Sequence, residues 1–311
     1  MLEDMLWVEK YRPKSVDELI LPKELKDTFL EFVKSKNIPN MILAGRAGVG
    51  KTSAAKAMLD ELGCSYLVIN GSMDRNIDTL RNEIFNFAST VSLKGGRKYV
   101  ILDEADYLNP QSTQPALRNF IEEFSKNCGF IMTCNFLNRI IDPIHSRCSV
   151  VNFKIDKHDK DLGAKFFARL KDILKKENVE ADDKVLVKFI LKYFPDFRRT
   201  LNELQRYSAS GKIDTGILAN IDGTNIQELV TFLKNKNFPA MRRWVAENLD
   251  KDPTSLFRML FDGMDDVLEP TSIPQMIIHL GRYSYNSAFV ADQEINTVSF
   301  LTEVMADCQF K

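Results

Sequence analysis

The sequence has no cysteine pair with the spacing of metal ligands. Its five cysteines, Cys64, Cys128, Cys134, Cys148 and Cys308, are scattered and form no CxxC motif. This pattern argues against a zinc ribbon and against a framework of disulfides. Since several of them lie in or beside apolar runs, we interpret them as small buried hydrophobic side chains in a reducing compartment.

Long hydrophobic runs and a strong net charge are also missing. No apolar stretch approaches the length of a membrane span, and the acidic residues near the start leave no apolar signal core. We therefore expect a cytoplasmic protein that makes no membrane contact. With 42 basic and 43 acidic residues the formal net charge is −1, so any contact with DNA must come from a local basic segment. No internal repeat or low-complexity segment is visible.

The chain's 311 residues exceed what one ordinary core requires and suggest two or three domains. Between about Pro39 and Phe153, short apolar runs alternate with helical patterns. Near-continuous apolar runs are typical of parallel strands covered on both faces, which predicts a doubly wound α/β sheet with its ligand beyond the carboxyl ends of the strands. The five predicted strands contain Met41–Leu43, Leu67–Ile69, Tyr99–Leu102, Phe130–Met132 and Val150–Val151.

Helical patterns replace strand patterns after Phe153. Three amphipathic helices are predicted at Asp159–Glu177, Ala181–Lys192 and Phe197–Ser208, and a further helical region begins near Asp222 and is interrupted by prolines. We therefore predict an α/β core over residues 1–155, a small all-α lid over 156–220 and an all-α C-terminal domain over 221–311.

The strongest motif runs from Gly45 to Thr52 and reads GRAGVGKT, which matches G-x-x-x-x-G-K-[ST]. It follows a predicted strand and opens a predicted helix, so a chance glycine-rich turn is the weaker explanation. Glycines allow backbone N–H groups to surround phosphates, and the helix N-terminus adds a positive dipole. Lys51 is expected to reach the β- and γ-phosphates, and the Thr52 hydroxyl to bind Mg²⁺.

Two carboxylates end the third predicted strand, in the sequence YVILDE. Asp103 is expected to hold Mg²⁺ through water, and Glu104 to act as the general base for an attacking water. A merely solvated strand end is the alternative, and the presence of the phosphate-binding loop argues against it. Asp106 is interpreted as a supporting or structural residue.

Three further polar residues occupy positions suited to phosphate chemistry. Asn135 follows the fourth strand and is expected to orient the lytic water, although an asparagine there is usually a turn residue. Arg147, in Ser-Arg-Cys before the last strand, is a candidate arginine finger for a neighbouring subunit's ATP, with an ordinary exposed arginine as the alternative. Arg198 opens the third lid helix and is expected to touch the γ-phosphate, and Arg199 competes for that assignment.

The order of these motifs resembles the clamp-loader family of AAA+ ATPases. The resemblance rests on WVEKYRP from Trp7 to Pro13, the phosphate-binding loop, Asp-Glu-Ala-Asp, Thr-Cys-Asn, Ser-Arg-Cys and Asp-Phe-Arg-Arg. It covers the small subunits of replication factor C and their phage counterparts, and Asn70-Gly71-Ser72 and the compact length bring it nearest to the large subunits of T-even-type phage loaders. Departures are Arg46-Ala47, where many relatives have prolines, and Pro195 before Asp196, where glycine is commoner.

The resemblance implies a machine that uses ATP and Mg²⁺ to open a ring-shaped sliding clamp and close it around primer–template DNA. Four copies and one non-identical subunit are implied. By the same resemblance, residues 1–155 form the AAA+ nucleotide-binding domain, and residues 221–311 form the collar domain through which the subunits join. Carry-over from the family adds an adenine-bordering segment to the phosphate-binding residues. The residues expected to hold the nucleotide are Val8, Glu9, Lys10, Tyr11, Ile20, Gly48, Val49, Gly50, Lys51, Thr52, Ser53 and Arg198.

By the same resemblance, DNA is expected to meet the segment that leads into the helix near Ile77, through Arg75, Asn76 and Arg81. Such contacts reach phosphates and carry no sequence readout, as a loader that acts anywhere requires; a solvated charged turn is the alternative. The Phe85–Leu93 segment is a candidate for clamp contact, with core packing as the competing explanation. Gln114 is a candidate relay between the DNA and ATP sides.

Two other functions fit the nucleotide motifs. A branch-migration or helicase-loading motor shares the ATP chemistry, but its turnover should respond to duplex length rather than to a clamp. A structural subunit that binds ATP only for assembly would tolerate loss of Glu104. The presence of Lys51, Asp103, Glu104 and Arg147 together argues against the second alternative.

Overall fold

The computed structural model describes residues 6–73, 77–91, 96–208, 211–213, 226–248 and 253–311. The chain divides into two compact units, Met1–Leu218 and Ala219–Lys311. Among the described residues, the structure contains no helix that is long and apolar enough to cross a membrane.

All five predicted strands are present in the first unit. They are β1 (Met41–Ala44), β2 (Tyr66–Asn70), β3 (Lys98–Asp103), β4 (Cys128–Cys134) and β5 (Ser149–Asn152). They pair in parallel in the order β2-β3-β4-β1-β5. All carboxyl ends therefore lie at one edge, where ligands bind in open α/β sheets.

Helices cover both faces of this sheet. The helices of the core are α1 (Trp7–Lys10), α2 (Lys23–Lys34), α3 (Lys51–Glu61), α4 (Ile77–Ser89), α5 (Thr113–Glu123) and α6 (Asp142–His145), with short 3₁₀ turns at Ala105–Tyr107 and Leu137–Arg139. Alternate residues of one strand enter different cores. Ile42 packs with Leu117 of α5, whereas Leu43 packs with Phe29 of α2. Burial on both faces explains why the strands read as continuous apolar runs.

The lid helices match the predicted ones closely: α7 (Lys160–Lys176), α8 (Asp183–Tyr193) and α9 (Phe197–Ser208). Asp159 caps α7 by accepting from two backbone N–H groups at 3.0 Å, and Asp182 caps α8. The expectation that strands end after Phe153 was wrong. A two-residue parallel pair joins β6 (Glu180–Ala181) to β7 (Lys212–Ile213), and two residues are too short to produce a recognisable pattern.

The second unit is helical in its described residues. Its elements are α10 (Ile226–Lys234), α11 (Phe238–Asn248), α12 (Pro253–Val267), a 3₁₀ turn (Pro270–Ser272), α13 (Ile273–Asn286) and α14 (Gln293–Asp307). The prolines at 239, 253, 270 and 274 all lie in the first two positions of these elements, where a missing N–H costs least. The predicted breaks are therefore confirmed as helix starts. Trp244, Met276 and Phe300 belong to this unit's core.

Candidate nucleotide-binding and hydrolysis site

A cavity of about 440 Å³ lies at the carboxyl edge of the sheet, in the first unit. It brings together most of the residues that the sequence assigns to the nucleotide. Those lining it are Val8, Glu9, Tyr11, Ile20, Gly48, Val49, Gly50, Lys51, Thr52, Ser53, Asp103, Glu104, Asn135 and Arg198.

The phosphate-binding loop connects β1 to α3, as the motif predicts. The loop reaches Lys51 through Gly50, whose φ of 92° is left-handed and suits glycine. The Lys51 ammonium donates at 2.8 Å to the carbonyls of Gly45 and Arg46 and to Asn135 Oδ1. Burial lowers the pKa of Lys51 from 10.5, with nearby acidic groups opposing the shift. A buried ammonium held by neutral oxygens is ready to exchange them for phosphate oxygens.

Asp103 stands at the centre of the second group of polar side chains. Its Oδ1 accepts hydrogen bonds of 2.6 Å from the hydroxyls of Thr52 and Thr133. Thr133 in turn accepts from the backbone N–H of Glu104 at 3.1 Å. Glu104 has φ 56° and ψ 45°, a strained conformation for a non-glycine residue that is common at functional sites. The Thr133 hydroxyl, on β4, therefore positions both Asp103 and Glu104 at the end of β3.

Asn135 is positioned by a buried carboxylate. Asp106 is only 5% exposed, and its Oδ2 accepts from the backbone N–H groups of Asn135 and Phe136 at 3.2 and 3.1 Å. The turn after β4 is therefore tied to the turn after β3. The Asp106 carboxylate thus supports this turn by accepting from its backbone N–H groups.

The N-terminal segment also contributes to the lining of the cavity. Val8, Glu9, Tyr11 and Ile20 line it, but Lys10 does not. The Lys10 ammonium lies 2.7 Å from Glu177 instead. The assignment of the Lys10 side chain to the cavity is therefore not met, because successive residues of the short helix α1 point in different directions.

Tyr11 is tied to the lid by the same carboxylate. Its hydroxyl donates to Glu177 at the end of α7. Burial, together with the bond to Glu177, raises the pKa of Tyr11 to about 12. Burial opposes ionisation of Glu177, yet the bonds from Lys10 and Tyr11 keep its pKa below the ordinary value. The N-terminal segment and the lid are thus joined by an ionised carboxylate.

Of the two candidate lid arginines, Arg198 lines the cavity. Arg199 stacks over the ring of Tyr193, with 5.1 Å between guanidinium carbon and ring centre. The start of α9 also touches the phosphate-binding loop directly, since the Phe197 N–H donates to the Gly48 carbonyl at 3.1 Å. The nucleotide loop and the lid are therefore in direct contact.

Sequence reasoning missed several lining residues. Phe166, Arg169 and Ile173 of α7 and Leu201 of α9 face the cavity, and Thr133 organises Asp103. The spacing of the α7 residues shows an amphipathic face, but it does not show whether that face meets core or ligand. Thr133 could have been found from the sequence, because its hydroxyl lies two residues before Asn135 at the end of an apolar strand.

Arg147 lies outside this cavity, on the loop between α6 and β5. Its Nε donates to Glu122 Oε1 at 2.8 Å, and its Nη1 donates to the Pro143 carbonyl at 2.7 Å. Its side chain is 28% exposed. Arg147 is not among the residues that line the cavity of its own chain, and its action on a neighbouring subunit's ATP stays a prediction.

The structure describes only some of the residues that are expected to contact DNA and the clamp. Arg75 and Asn76 lie outside the described residues, while Arg81 is exposed on α4. Phe85 and Val91 are 49% and 87% exposed, whereas Phe87 packs partly against the core. Buried Gln114 donates to the carbonyls of Leu108 and Arg139 and accepts from the Ile141 N–H.

Comparison with known families agrees with this geometry. Residues 41–155 match the ATPase family associated with various cellular activities (AAA), and residues 159–219 match the AAA+ ATPase lid domain of the sliding-clamp-loader large subunit. A solved structure of the Holliday junction branch migration motor RuvB from Thermotoga maritima shares the fold, with a TM-score of 0.56 and 18% identity over 79% of this chain and 87% of that one. The fold and the site therefore define an AAA+ ATPase, an enzyme that binds and hydrolyses nucleotide.

Curated relatives extend over nearly the whole chain. The sliding-clamp-loader large subunits of Escherichia phage RB69 and Enterobacteria phage T4 are 33% and 34% identical, each over 97% of this chain and 96% of the relative. The replication factor C small subunit of Sulfurisphaera tokodaii is 32% identical over 97% and 95%. The chain belongs to the clamp-loader family, and its phage relatives are large subunits. The predicted family and the predicted AAA+ fold are confirmed.

Proposed function

We propose that this chain is the ATPase subunit of a sliding-clamp loader, which opens a clamp in the ATP-bound state and releases it on primer–template DNA after hydrolysis. The observation that carries the proposal is two groups of polar side chains at one end of the sheet. Lys51 donates to Asn135, and Asp103 accepts from Thr52 and from Thr133, which in turn holds the Glu104 N–H. The chain's relatives over nearly its full length are clamp-loader subunits. A purely structural subunit has no need of these two groups.

The residues present fit Mg²⁺. Thr52 and Asp103 offer a hydroxyl and a carboxylate 2.6 Å apart, and such hard oxygen ligands suit Mg²⁺ bound together with substrate phosphates. When bound, Mg²⁺ supplies charge neutralisation for the phosphate oxygens. We assign Thr52 and Asp103 as the residues that hold it, with Thr133 fixing the orientation of Asp103.

The hydrolytic step follows from the roles of the side chains. Lys51 exchanges its carbonyl and amide partners for the β- and γ-phosphates of ATP, which Gly48, Val49, Gly50 and Ser53 surround. Glu104 accepts a proton from water as the water oxygen bonds to the γ-phosphorus, the bond from that phosphorus to the β–γ bridging oxygen breaks, and ADP and phosphate leave.

Charge that develops on the transferred phosphoryl group requires further cations. Arg198 supplies one from the lid of the same chain, and Arg147 supplies another from the neighbouring subunit. Because Arg147 lies on the outer surface, the active site is complete only in an assembly. We propose four copies with one non-identical subunit, in the host cytoplasm.

DNA and clamp then act on the assembled sites. We propose that phosphates of primer–template DNA meet Arg75, Asn76 and Arg81, and that the exposed Phe85 and Val91 contact the clamp. Aromatic anchors commonly dominate protein interfaces. Coupling hydrolysis to both partners is the property that separates a loader from a translocating motor.

The test is steady-state ATP hydrolysis by the chain with its partner subunit, adding primer–template DNA and the clamp of the same replication system separately and together. Joint stimulation that is lost in Glu104→Gln and Arg147→Ala supports the proposal. Arg206→Ala is a matched control, because Arg206 forms a comparable exposed ion pair with Glu203 at 2.7 Å. A rate that ignores the clamp and scales with duplex length would overturn the proposal in favour of a motor.

A further inference from the structure

Arg147 is held by a network within its own chain that leaves little of the guanidinium available. Its Nε and Nη2 both donate to Glu122 Oε1, and its Nη1 donates to the Pro143 carbonyl and to Ser146 Oγ. Arginine has five N–H donors, and four are engaged here. No edge of the guanidinium presents the two free parallel N–H groups that phosphate binding prefers.

The two sets of contacts differ in kind. Pro143 lies in α6 and Ser146 directly precedes Arg147, so their bonds fasten the arginine to its own segment of the chain. Glu122 lies 25 residues earlier, near the end of α5, and occupies the Nε–Nη2 edge with a carboxylate. A carboxylate and a phosphate are alternative anionic partners for that edge, and both cannot occupy it at once.

We infer that Glu122 is a positioning residue that holds the arginine finger in a parked state and competes with the neighbouring subunit's γ-phosphate for the Nε–Nη2 edge of Arg147. The inference rests on the proposed function, since it takes Arg147 as the finger. It adds a residue to the active site that acts through Arg147 and touches no substrate.

Exposure makes the exchange feasible. The side chains of Arg147 and Glu122 are 28% and 58% exposed, and exposed ion pairs are weak because water solvates both partners. Glu122 can therefore return to solvent when a phosphate arrives, while Pro143 and Ser146 keep the finger on its loop. Before a phosphate arrives, the Glu122 carboxylate reduces the fraction of time in which the Nε–Nη2 edge of Arg147 is free to bind one.

The first experiment measures the parked state without any partner. Phenylglyoxal reacts with accessible guanidinium groups, and peptide mass spectrometry gives the rate at Arg147. In Glu122→Gln we expect labelling of Arg147 to be about two- to fivefold faster, as the loss of an exposed pair implies. Glu123→Gln, the exposed neighbour on α5, should leave the rate unchanged, and Arg118 provides an internal reference. Equal labelling in the wild-type chain and Glu122→Gln overturns the inference.

The second experiment measures the competition in the assembled ATPase. Glu122→Gln should raise the rate without DNA and clamp about two- to fivefold and so lower the ratio of stimulated to unstimulated turnover, with Glu123→Gln as the control. In an Arg147→Ala background, Glu122→Gln should have no further effect. An unchanged or lower rate in Glu122→Gln, or an additive effect in the double variant, refutes the parked state.

The two proposals fail in distinguishable ways. If Arg147→Ala retains full stimulated turnover, the finger assignment itself fails. If Arg147→Ala loses turnover while Glu122→Gln behaves as the wild type, the finger stands and only the role of Glu122 is refuted.

Discussion

The Lys51 ammonium and the Asn135 amide oxygen are 2.8 Å apart, which joins the phosphate-binding loop to the turn after β4. Before nucleotide binds, Asn135 therefore supplies one of the oxygens that keep the buried lysine solvated. Under the proposed function, Lys51 leaves Asn135 for the phosphates, and we propose that the amide then becomes available for water. Asn135 would in this way couple the position of Lys51 to β4, the strand that also carries Thr133.

Substitutions of Asn135 should separate binding from turnover. Asn135→Asp places a carboxylate against Lys51, which should hold the ammonium in an ion pair and weaken ATP binding about tenfold. Asn135→Ala removes the partner without adding charge, so affinity should change little while kcat falls by about 10²-fold through lost water positioning. Fluorescence titration with a nucleotide analogue and single-turnover hydrolysis measure the two quantities. Equal affinity in both variants would contradict the competition for Lys51.

Thr133 should matter for stability and turnover alike. It is 2% exposed, and Thr133→Val removes both the donor to Asp103 and the acceptor for the Glu104 N–H. We expect a loss of about 1–3 kcal/mol in the free energy of unfolding, a higher Mg²⁺ requirement and a lower kcat. Chemical denaturation and Mg²⁺ titrations of the ATPase test this.

Thr297→Val is the matched control for Thr133→Val. Thr297 is also buried, in α14, and among the residues that the structure describes its hydroxyl has no hydrogen-bond partner. Replacing that hydroxyl by a methyl group should be neutral or slightly stabilising and should leave hydrolysis unchanged. A turnover loss as large in Thr297→Val as in Thr133→Val would mean that the effect of Thr133 is not local.

The sheet was largely predictable because its signals are local. The motif at Gly45–Thr52 and the carboxylates at Asp103 and Glu104 each lie beside the strand that positions them, and parallel pairing brings strand ends together. The same reasoning placed Asn135 at the end of its strand, where it lines the cavity. Each of these residues could be predicted from the few residues around it, because each directly follows its own strand. Parallel pairing of neighbouring strands then brings the strand ends together.

Contacts between distant segments were not predictable in the same way. Nothing in the sequence indicates that Glu122 meets Arg147, or that Lys10 turns away from the cavity to Glu177. The lid's Arg169 lies on a helix face whose pattern is the same whether it covers core or ligand. These features depend on how packed elements approach one another, and single-sequence periodicity does not encode that approach.

Burial of Lys51 predicts a pH dependence of nucleotide binding. Phosphate binding requires the ammonium form, and burial lowers the Lys51 pKa from 10.5. ATP affinity should therefore fall as pH rises, at a lower pH than an exposed lysine would give, and should be constant well below that range. Lys51→Arg should bind ATP more weakly but without this alkaline loss, because guanidinium stays charged. Isothermal titrations from about pH 7.5 to pH 10 test the sign, and a parallel loss in Lys51→Arg would assign it to another group.

Gly48 and Gly50 provide a matched pair for the contact between the phosphate-binding loop and the lid. Both have left-handed φ angles, 76° and 92°, so alanine at either position should cost about 1–2 kcal/mol of stability. A Cβ at Gly50 meets nothing within 4 Å, whereas a Cβ at Gly48 falls 1.9 Å from Asp196 Oδ1. That oxygen accepts from the Arg199 N–H at the start of α9, at 2.9 Å.

Gly48→Ala should therefore cost more than Gly50→Ala, because Asp196 must move and α9 loses its cap, worth about 1 kcal/mol more. Denaturant unfolding of both variants without nucleotide measures the difference. Adding Asp196→Ala removes the clash together with the cap, so Gly48→Ala should then cost no more than Gly50→Ala. Equal stability of the two alanine variants in the wild-type background would mean that Asp196 does not pack against Gly48 in solution. If they differ in the predicted order, the loop that holds the phosphates directly supports the helix that carries Arg198, and lid position is coupled to the nucleotide site through this contact.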